Sequence, residues 1–283
     1  MITLTTAAEL RAWATEQKRA GLTIGFVPTM GFLHDGHTSL MDQARPLCDK
    51  LVVSVYVNPL QFGPDEDLDV YPRDAAGDTQ RCLDHGVDCL FMPEHLYPAG
   101  FATHVAVHGL TDRLCGASRP GHFEGVTTVV ARLLGLSRAD VAVFGEKDYQ
   151  QLTVIRRMVL DLALPTRVVP GTLVRDTDGL ALSSRNVYLA PEQRRRALTL
   201  HQALFRLRDA AAAGQLDGST LVRDAMAIID ADELEYLELV DAELLTPLDT
   251  VDRPARALVA ARFGGTRLID NVAVGPELSW DLR

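Results

Sequence analysis

Long apolar runs are missing from this 283-residue sequence; none reaches the roughly 18 residues that a membrane-spanning helix needs. The stretch from Met1 to Lys18 lacks the basic start and apolar core of a secretory leader, so no leader is expected. Cysteine is scarce. Cys48, Cys82, Cys89 and Cys115 form no CxxC pair, and no histidine cluster completes a zinc pattern. Reduced thiols in a cytoplasmic protein are the expectation. Positive charge is in deficit, with 28 Lys and Arg against 38 Asp and Glu and a net charge of −10. That balance argues against a protein that coats nucleic acid or a membrane surface. It leaves room for small anionic substrates, because a few cations in a cleft override net charge. What the chain has in quantity is apolar residues, 47% against 23% charged, which is enough for a globular core.

The first two thirds alternate between strand and helix patterns. Ala7 to Arg19 reads as a helix, then Leu22 to Pro28 as a strand. Leu51 to Val57 is almost continuously apolar, as a strand covered on both faces should be. Val87 to Met92 and Val141 to Phe144 repeat that texture, and Thr103 to Val107 reads as an additional strand. Gly125 to Leu136 and Tyr149 to Ala163 read as helices. Strand and helix in alternation imply an α/β fold, a Rossmann-like parallel sheet with right-handed crossovers. Pro46 falls inside the apolar helix pattern from Leu40 to Cys48 and should kink or shorten its last turn.

After about Val174 the pattern changes. Pro191 to Ala213 and Ser219 to Ile229 read as helices. Glu235 to Val240, Ala257 to Phe263 and Thr266 to Val272 read as strands, the last two joined by a Gly264-Gly265 hairpin turn. The expectation is a domain over residues 1–173 and a smaller α+β domain with a short antiparallel sheet over residues 174–283. Arg194, Arg195, Arg196, Arg206 and Arg208 look like a nucleic-acid patch, but aromatic stacking partners are scarce there and a solvated helix face explains them.

Four segments carry chemistry. Pro28-Thr29-Met30-Gly31-Phe32-Leu33-His34-Asp35-Gly36-His37 follows the first long strand and opens a helix. Its glycines let backbone approach a ligand, and a helix start offers N–H groups to phosphate. His34 and His37 are suited to donating hydrogen bonds as charge builds on phosphate oxygens. Val57-Asn58-Pro59-Leu60-Gln61-Phe62-Gly63 puts two amides, Asn58 and Gln61, at a strand end, where they suit a hydroxy acid; a plain polar turn is the alternative. Gly145-Glu146-Lys147-Asp148 followed by Gln151 places Lys147 to meet phosphate and Asp148 to meet a ribose hydroxyl or a phosphate-linked group, unless these are only helix-start charges. Leu182-Ser183-Ser184-Arg185 offers two hydroxyls and a guanidinium to a polyphosphate; the alternative is an N-cap for the helix at Pro191.

HxGH in the first crossover with a Ser-Ser-Arg loop after the sheet resembles the nucleotidyl-transfer superfamily with HIGH and KMSKS signatures. PTMGFLHDGHTSL, VYVNPLQFG, FGEKDYQQL and DGLALSSRN together resemble the pantothenate synthetase (pantoate–β-alanine ligase) family, in order and spacing, from about Val27 to Leu189. Pro46 and the wording of Val169 to Leu173 depart from the family pattern. The resemblance implies ATP-dependent condensation of pantoate with β-alanine through a pantoyl adenylate, with Mg²⁺ held by the ATP phosphates and no protein metal ligands. It implies ATP contacts from Met30, Gly31, Phe32, Leu33, His34, Asp35, Gly36, His37, Gly145, Glu146, Lys147, Asp148, Val174, Leu182, Ser183, Ser184 and Arg185. His37, His34, Lys147 and Arg185 are the expected catalytic groups, with Gln61, Gln151 and Asn58 on the pantoate and β-alanine side. It further implies a homodimer, with no nucleic-acid or membrane partner, and domains that close over ATP. An aminoacyl-tRNA synthetase would need a tRNA-binding domain and a basic surface. The acidic run Asp65, Glu66, Asp67 and Asp69 reads as a solvated mobile loop, with help in holding Mg²⁺ as the alternative.

Overall fold

The structure is a computed structural model that describes residues 1–64, 66–276 and 278. The chain divides into two compact units, Met1–Glu146 with Gln151–Leu173, and Lys147–Gln150 with Val174–Arg283. No helix among the described residues is long and apolar enough to cross a membrane.

The first unit is built on six parallel strands: β1 (Ile2–Leu4), β2 (Ile24–Thr29), β3 (Lys50–Val55), β4 (Cys89–Phe91), β5 (Val141–Gly145) and β6 (Arg167–Gly171), in the spatial order β1-β4-β3-β2-β5-β6. The crossovers carry helices α1 (Ala7–Arg19), α2 (Asp35–Ala44), α3 (Ala75–Asp84), α4 (Cys115–Ser118), α5 (His122–Ser137) and α6 (Tyr149–Asp161). The central strands are apolar throughout because both faces are covered: Leu51, Val52 and Val53 have no exposed surface. From β2 the chain builds outward to β3 and β4, and from β5 it builds to β6 on the other side. The order therefore reverses between β2 and β5, and ligands of open parallel sheets bind outside the carboxyl ends of such a pair.

Three expectations need correction. Thr103 to Val107 is not a strand. Its backbone bonds to helix side chains instead, Val105 N donating to Thr128 Oγ1 at 3.0 Å and Thr127 Oγ1 donating to the Val105 carbonyl. The sheet gains β1 and β6, which no apolar run announces. β1 is three residues long, and β6 contains Pro170, tolerated because β6 is an edge strand. The acidic loop is not simply solvated, because Glu66 is tied to Arg119 by two short hydrogen bonds; Asp65 lies outside the described residues. Pro46 acts as expected: α2 stops at Ala44 and the chain continues as a 3₁₀ turn over Arg45–Leu47.

The second unit holds α7 (Pro191–Ala212), α8 (Gly218–Met226) and the antiparallel strands β7 (Glu233–Asp241), β8 (Ala255–Phe263) and β9 (Thr266–Val274). Gly264-Gly265 is the two-residue turn between β8 and β9, closed by the Phe263–Thr266 pair. Leu200, Leu204 and Leu207 of α7 are buried in one core with Leu237, Val259 and Phe263 of the sheet. Three arginines at the start of α7 face carboxylates: Arg194 pairs with Asp176 and Asp178, Arg195 with Glu192, Arg196 with Asp230 and Asp232. The four cysteines are free, and burial pushes the Cys82 and Cys89 thiols up to about 12.

Candidate active site

The loop after β2 is held from below. Gly31 has φ 86°, and a Cβ there would lie 2.8 Å from both Asp78 Oδ2 and Val55 Cγ1, so only glycine fits. Asp78 of α3 accepts hydrogen bonds from Phe32 N at 2.9 Å and Leu33 N at 2.7 Å. Burial raises the Asp78 pKa, partly offset by these two N–H donors. Asp78 escaped the sequence reading because it lies 46 residues from the loop it fixes.

The two histidines then cap α2. Gly36 N donates to His34 Nδ1 at 3.1 Å, and His34 N donates to His37 Nδ1 at 3.3 Å. The rings lie against each other with centroids 4.1 Å apart. A ring nitrogen that accepts carries no proton, so each neutral imidazole has its proton on Nε2. The helix start thus sets two adjacent Nε2–H donors in a defined tautomer, at the carboxyl end of the strand where the sheet order reverses.

Gln61 closes a 3₁₀ turn after β3, and its Nε2 donates to Met30 Sδ at 3.3 Å, so the structure joins these two expected site residues. Asn58 caps the same turn. It is 1% exposed, and its amide is occupied within the protein. Oδ1 accepts from Leu60 N at 3.4 Å and Tyr97 Oη at 2.8 Å, while Nδ2 donates to Gln61 Oε1 and to the Gly125 carbonyl, each at 3.1 Å. Asn58 therefore orients Gln61.

A second line of contacts reaches the Gln61 backbone. Arg119 binds Glu66 bidentately at 2.6 and 2.7 Å and meets His122 Nε2 at 3.0 Å. Guanidinium only donates, so His122 Nε2 accepts and its Nδ1–H donates to the Gln61 carbonyl at 2.9 Å. Burial pushes the Glu66 carboxyl up, but the hydrogen bonds and charge of Arg119 outweigh it and hold the pKa at about 2, below its ordinary 4.5. A lowered folded-state pKa adds stability that is complete above pH 4.5 and is lost as pH falls toward 2. Glu66→Gln should remove that dependence, flattening the acid limb of stability across this window by up to about 3 kcal/mol. Denaturant titrations at stepped pH read the slope; matching slopes for both proteins would discount the ion pair.

The chain leaves β5 at Gly145 into a 3₁₀ turn, Glu146–Asp148, that leads into α6. Lys147 Nζ lies 3.7 Å from Asp148 Oδ1, and Lys147 is the more buried of the two. Gln151 is half-buried in the first turn of α6. In the second unit, Leu182 N donates to the Val174 carbonyl at 3.0 Å, which brings these two expected residues together. Ser183 is a cap, but of the 3₁₀ turn Ser184–Tyr188 rather than of α7: its Oγ accepts from Arg185 N at 3.3 Å. Ser184 is buried, and Arg185 is half-buried. Among the described residues, no group of three or more His, Cys, Asp or Glu is arranged to hold a metal ion.

Comparison with known proteins matches residues 2–273 to the family model for pantoate-beta-alanine ligase. Pantothenate synthetase of Heliobacterium modesticaldum is 51% identical over 94% of this chain and 96% of its own. The crystal structure of pantothenate synthetase from Thermus thermophilus superposes with TM-score 0.92 at 50% identity, covering 98% of this chain and all of that one. That of pantoate-beta-alanine ligase from Francisella tularensis, complexed with beta-gamma ATP and beta-alanine, gives 0.80 at 31% identity over 96% of this chain and 97% of that one. With matches of this extent on both sequence and fold, the chain belongs to the pantoate–β-alanine ligase family.

Proposed function

We propose that this chain condenses pantoate with β-alanine at the expense of ATP, through a pantoyl adenylate, with release of pyrophosphate and then AMP. The observation that carries the reading is the pair of Nε2–H donors fixed by the cap of α2. A carboxylate and an amine do not condense at neutral pH, because oxide is too poor a leaving group. Attack of the pantoate carboxylate oxygen on the α-phosphorus expels pyrophosphate, and the amine of β-alanine then displaces AMP from the acyl carbon. Charge grows on phosphate oxygens in the first step, and donors that are already oriented stabilise it without reorganising. His34 and His37 supply such donors, and Lys147 and Arg185 add positive charge on the pyrophosphate. No enzyme nucleophile is needed.

Gln61, held by Asn58 and His122, reads the hydroxyls or carboxylate of pantoate, with Gln151 as a second amide and the Met30 thioether beside Gln61. The backbones of Gly31 and Val174, the segment Gly145 to Asp148, and Ser183 and Ser184 complete the nucleotide contacts. Mg²⁺, held by the ATP phosphates rather than by side chains of this chain, would offset their charge. A cytoplasmic homodimer accords with the family resemblance.

The test is isotope exchange. With β-alanine absent, pantoate should drive labelled pyrophosphate into ATP, and exchange should vanish without pantoate. Pantothenate formation with no such exchange would rule out the adenylate.

A further inference from the structure

Two stretches of the second unit carry proposed nucleotide contacts, Lys147–Gln150 and the segment that starts at Val174. Both are fastened to one buried dipeptide on β9, Asp270–Asn271. Asn271 is 2% exposed, and its Nδ2 donates to the Lys147 carbonyl at 2.9 Å. The amide is oriented from its other end, where Arg256 Nε donates to Asn271 Oδ1 at 2.7 Å. Strand register brings the two together: Arg256 on β8 pairs with Ala273, two residues beyond Asn271 and on the same sheet face. The Arg256 guanidinium also lies over the ring of Tyr149, 4.2 Å from its centroid, and Tyr149 Oη donates to the Ala242 carbonyl at 2.9 Å. The residue after Lys147-Asp148 is thereby gripped as well. Asp270, 4% exposed, takes Arg175 bidentately at 2.8 and 2.7 Å, and its Oδ1 accepts from Asn271 N at 2.7 Å. Arg175 directly follows Val174.

Packing alone does not call for this arrangement, since well-packed apolar side chains serve a buried site at least as well as a polar network does. A network whose members are paired fixes one geometry, and the geometry fixed here is that of the Lys147 backbone. We propose that Asn271, oriented by Arg256, is a positioning residue for Lys147, and that Asp270 binds the same dipeptide to Arg175, so that β9 holds both stretches. The inference rests on the reading that Lys147 meets the departing pyrophosphate.

Asn271→Asp keeps the shape and the oxygen facing Arg256 but replaces the donor to Lys147 with an oxygen. Pantoate-dependent pyrophosphate exchange should fall about tenfold, as expected for misplacing one charge-stabilising group. The second half-reaction involves no pyrophosphate, so the reaction of preformed pantoyl adenylate with β-alanine should slow far less than exchange does. Placed on Lys147→Ala, the substitution should lower exchange by less than about twofold, because residues acting through one group are not additive. Equal slowing of both half-reactions, or losses that multiply on Lys147→Ala, would overturn the proposal. Arg256→Met, which keeps the stem over Tyr149, is judged by the same comparisons if Asn271→Asp does not fold. Absence of exchange in the unsubstituted protein would overturn the functional reading instead.

Discussion

Lys147→Ala should leave the protein folded and lower pantoate-dependent pyrophosphate exchange by roughly a hundredfold or more, the typical effect of removing one oriented donor from a transition state. Folding should be spared because the Lys147 carbonyl stays bonded to Asn271. Among the described residues the side chain makes a loose ion pair with the half-exposed Asp148, at 3.7 Å, and such pairs contribute little to stability. The loss should appear in kcat for exchange, with the pantoate KM nearly unchanged, because the lysine acts on charge that develops as pyrophosphate departs. Steady-state exchange with each substrate varied in turn makes the distinction. Wild-type exchange in this variant would reduce the Glu146–Asp148 turn to a helix start.

A large effect on structure should come from Gly125→Ala. A Cβ at this position would overlap the Leu60 carbonyl oxygen and stand 2.6 Å from Cα of Gln61. Both are backbone atoms, so no rotamer change relieves the overlap. The Asn58–Gln61 turn would have to move off α5, breaking the Asn58 bond to the Gly125 carbonyl and the His122 bond to Gln61. Overpacking of this kind costs about 1–3 kcal/mol. Pantoate binding should weaken with it, because Gln61 loses His122 and Asn58, which orients it, loses its anchor on α5. Gly135 provides the control within the same helix. A Cβ there meets nothing within 4 Å, so Gly135→Ala should stabilise by up to about 1 kcal/mol through helix propensity. Thermal melts and calorimetric titration with pantoate on both variants decide the matter. A Gly125→Ala protein as stable as Gly135→Ala would mean that the turn is not packed on α5 as described.

The sequence was legible where the chain states its environment locally. Leu51 to Val57 betrays a strand covered on both faces, and β3 occupies Lys50–Val55. The Gly264-Gly265 pair betrays a hairpin. The apolar content of a segment says little when the segment is short or lies at an edge, which is why β1 and β6 carry no strand signal and Thr103 to Val107 has the pattern of a strand without forming one. The same division runs through the site. His34 and His37 cap their own helix, and Asn58 and Gln61 share one turn, so each pair stands together in the sequence. The groups that hold them come from far along the chain: Asp78 lies 46 residues from Phe32, His122 61 from Gln61, and Asn271 124 from Lys147. An aspartate or asparagine on a distant strand carries no local mark of the carbonyl or N–H that it will meet.

The order of the parallel sheet also bears on how the chain is made. β2 has β3 on one side soon after it is synthesised, but its other partner, β5, begins only at Val141. Until the ribosome has passed that residue, the half-built sheet ends in the open backbone of Gly25 and Phe26, the two β2 positions that later pair with Val141 and Ala142. An unpaired apolar edge is a template for other chains, and parallel sheets that close across long intervals form slowly. The vulnerable interval for this protein is therefore set by translation from β2 to β5, and slower passage through that interval lengthens the time in which nascent chains can add to one another's sheets.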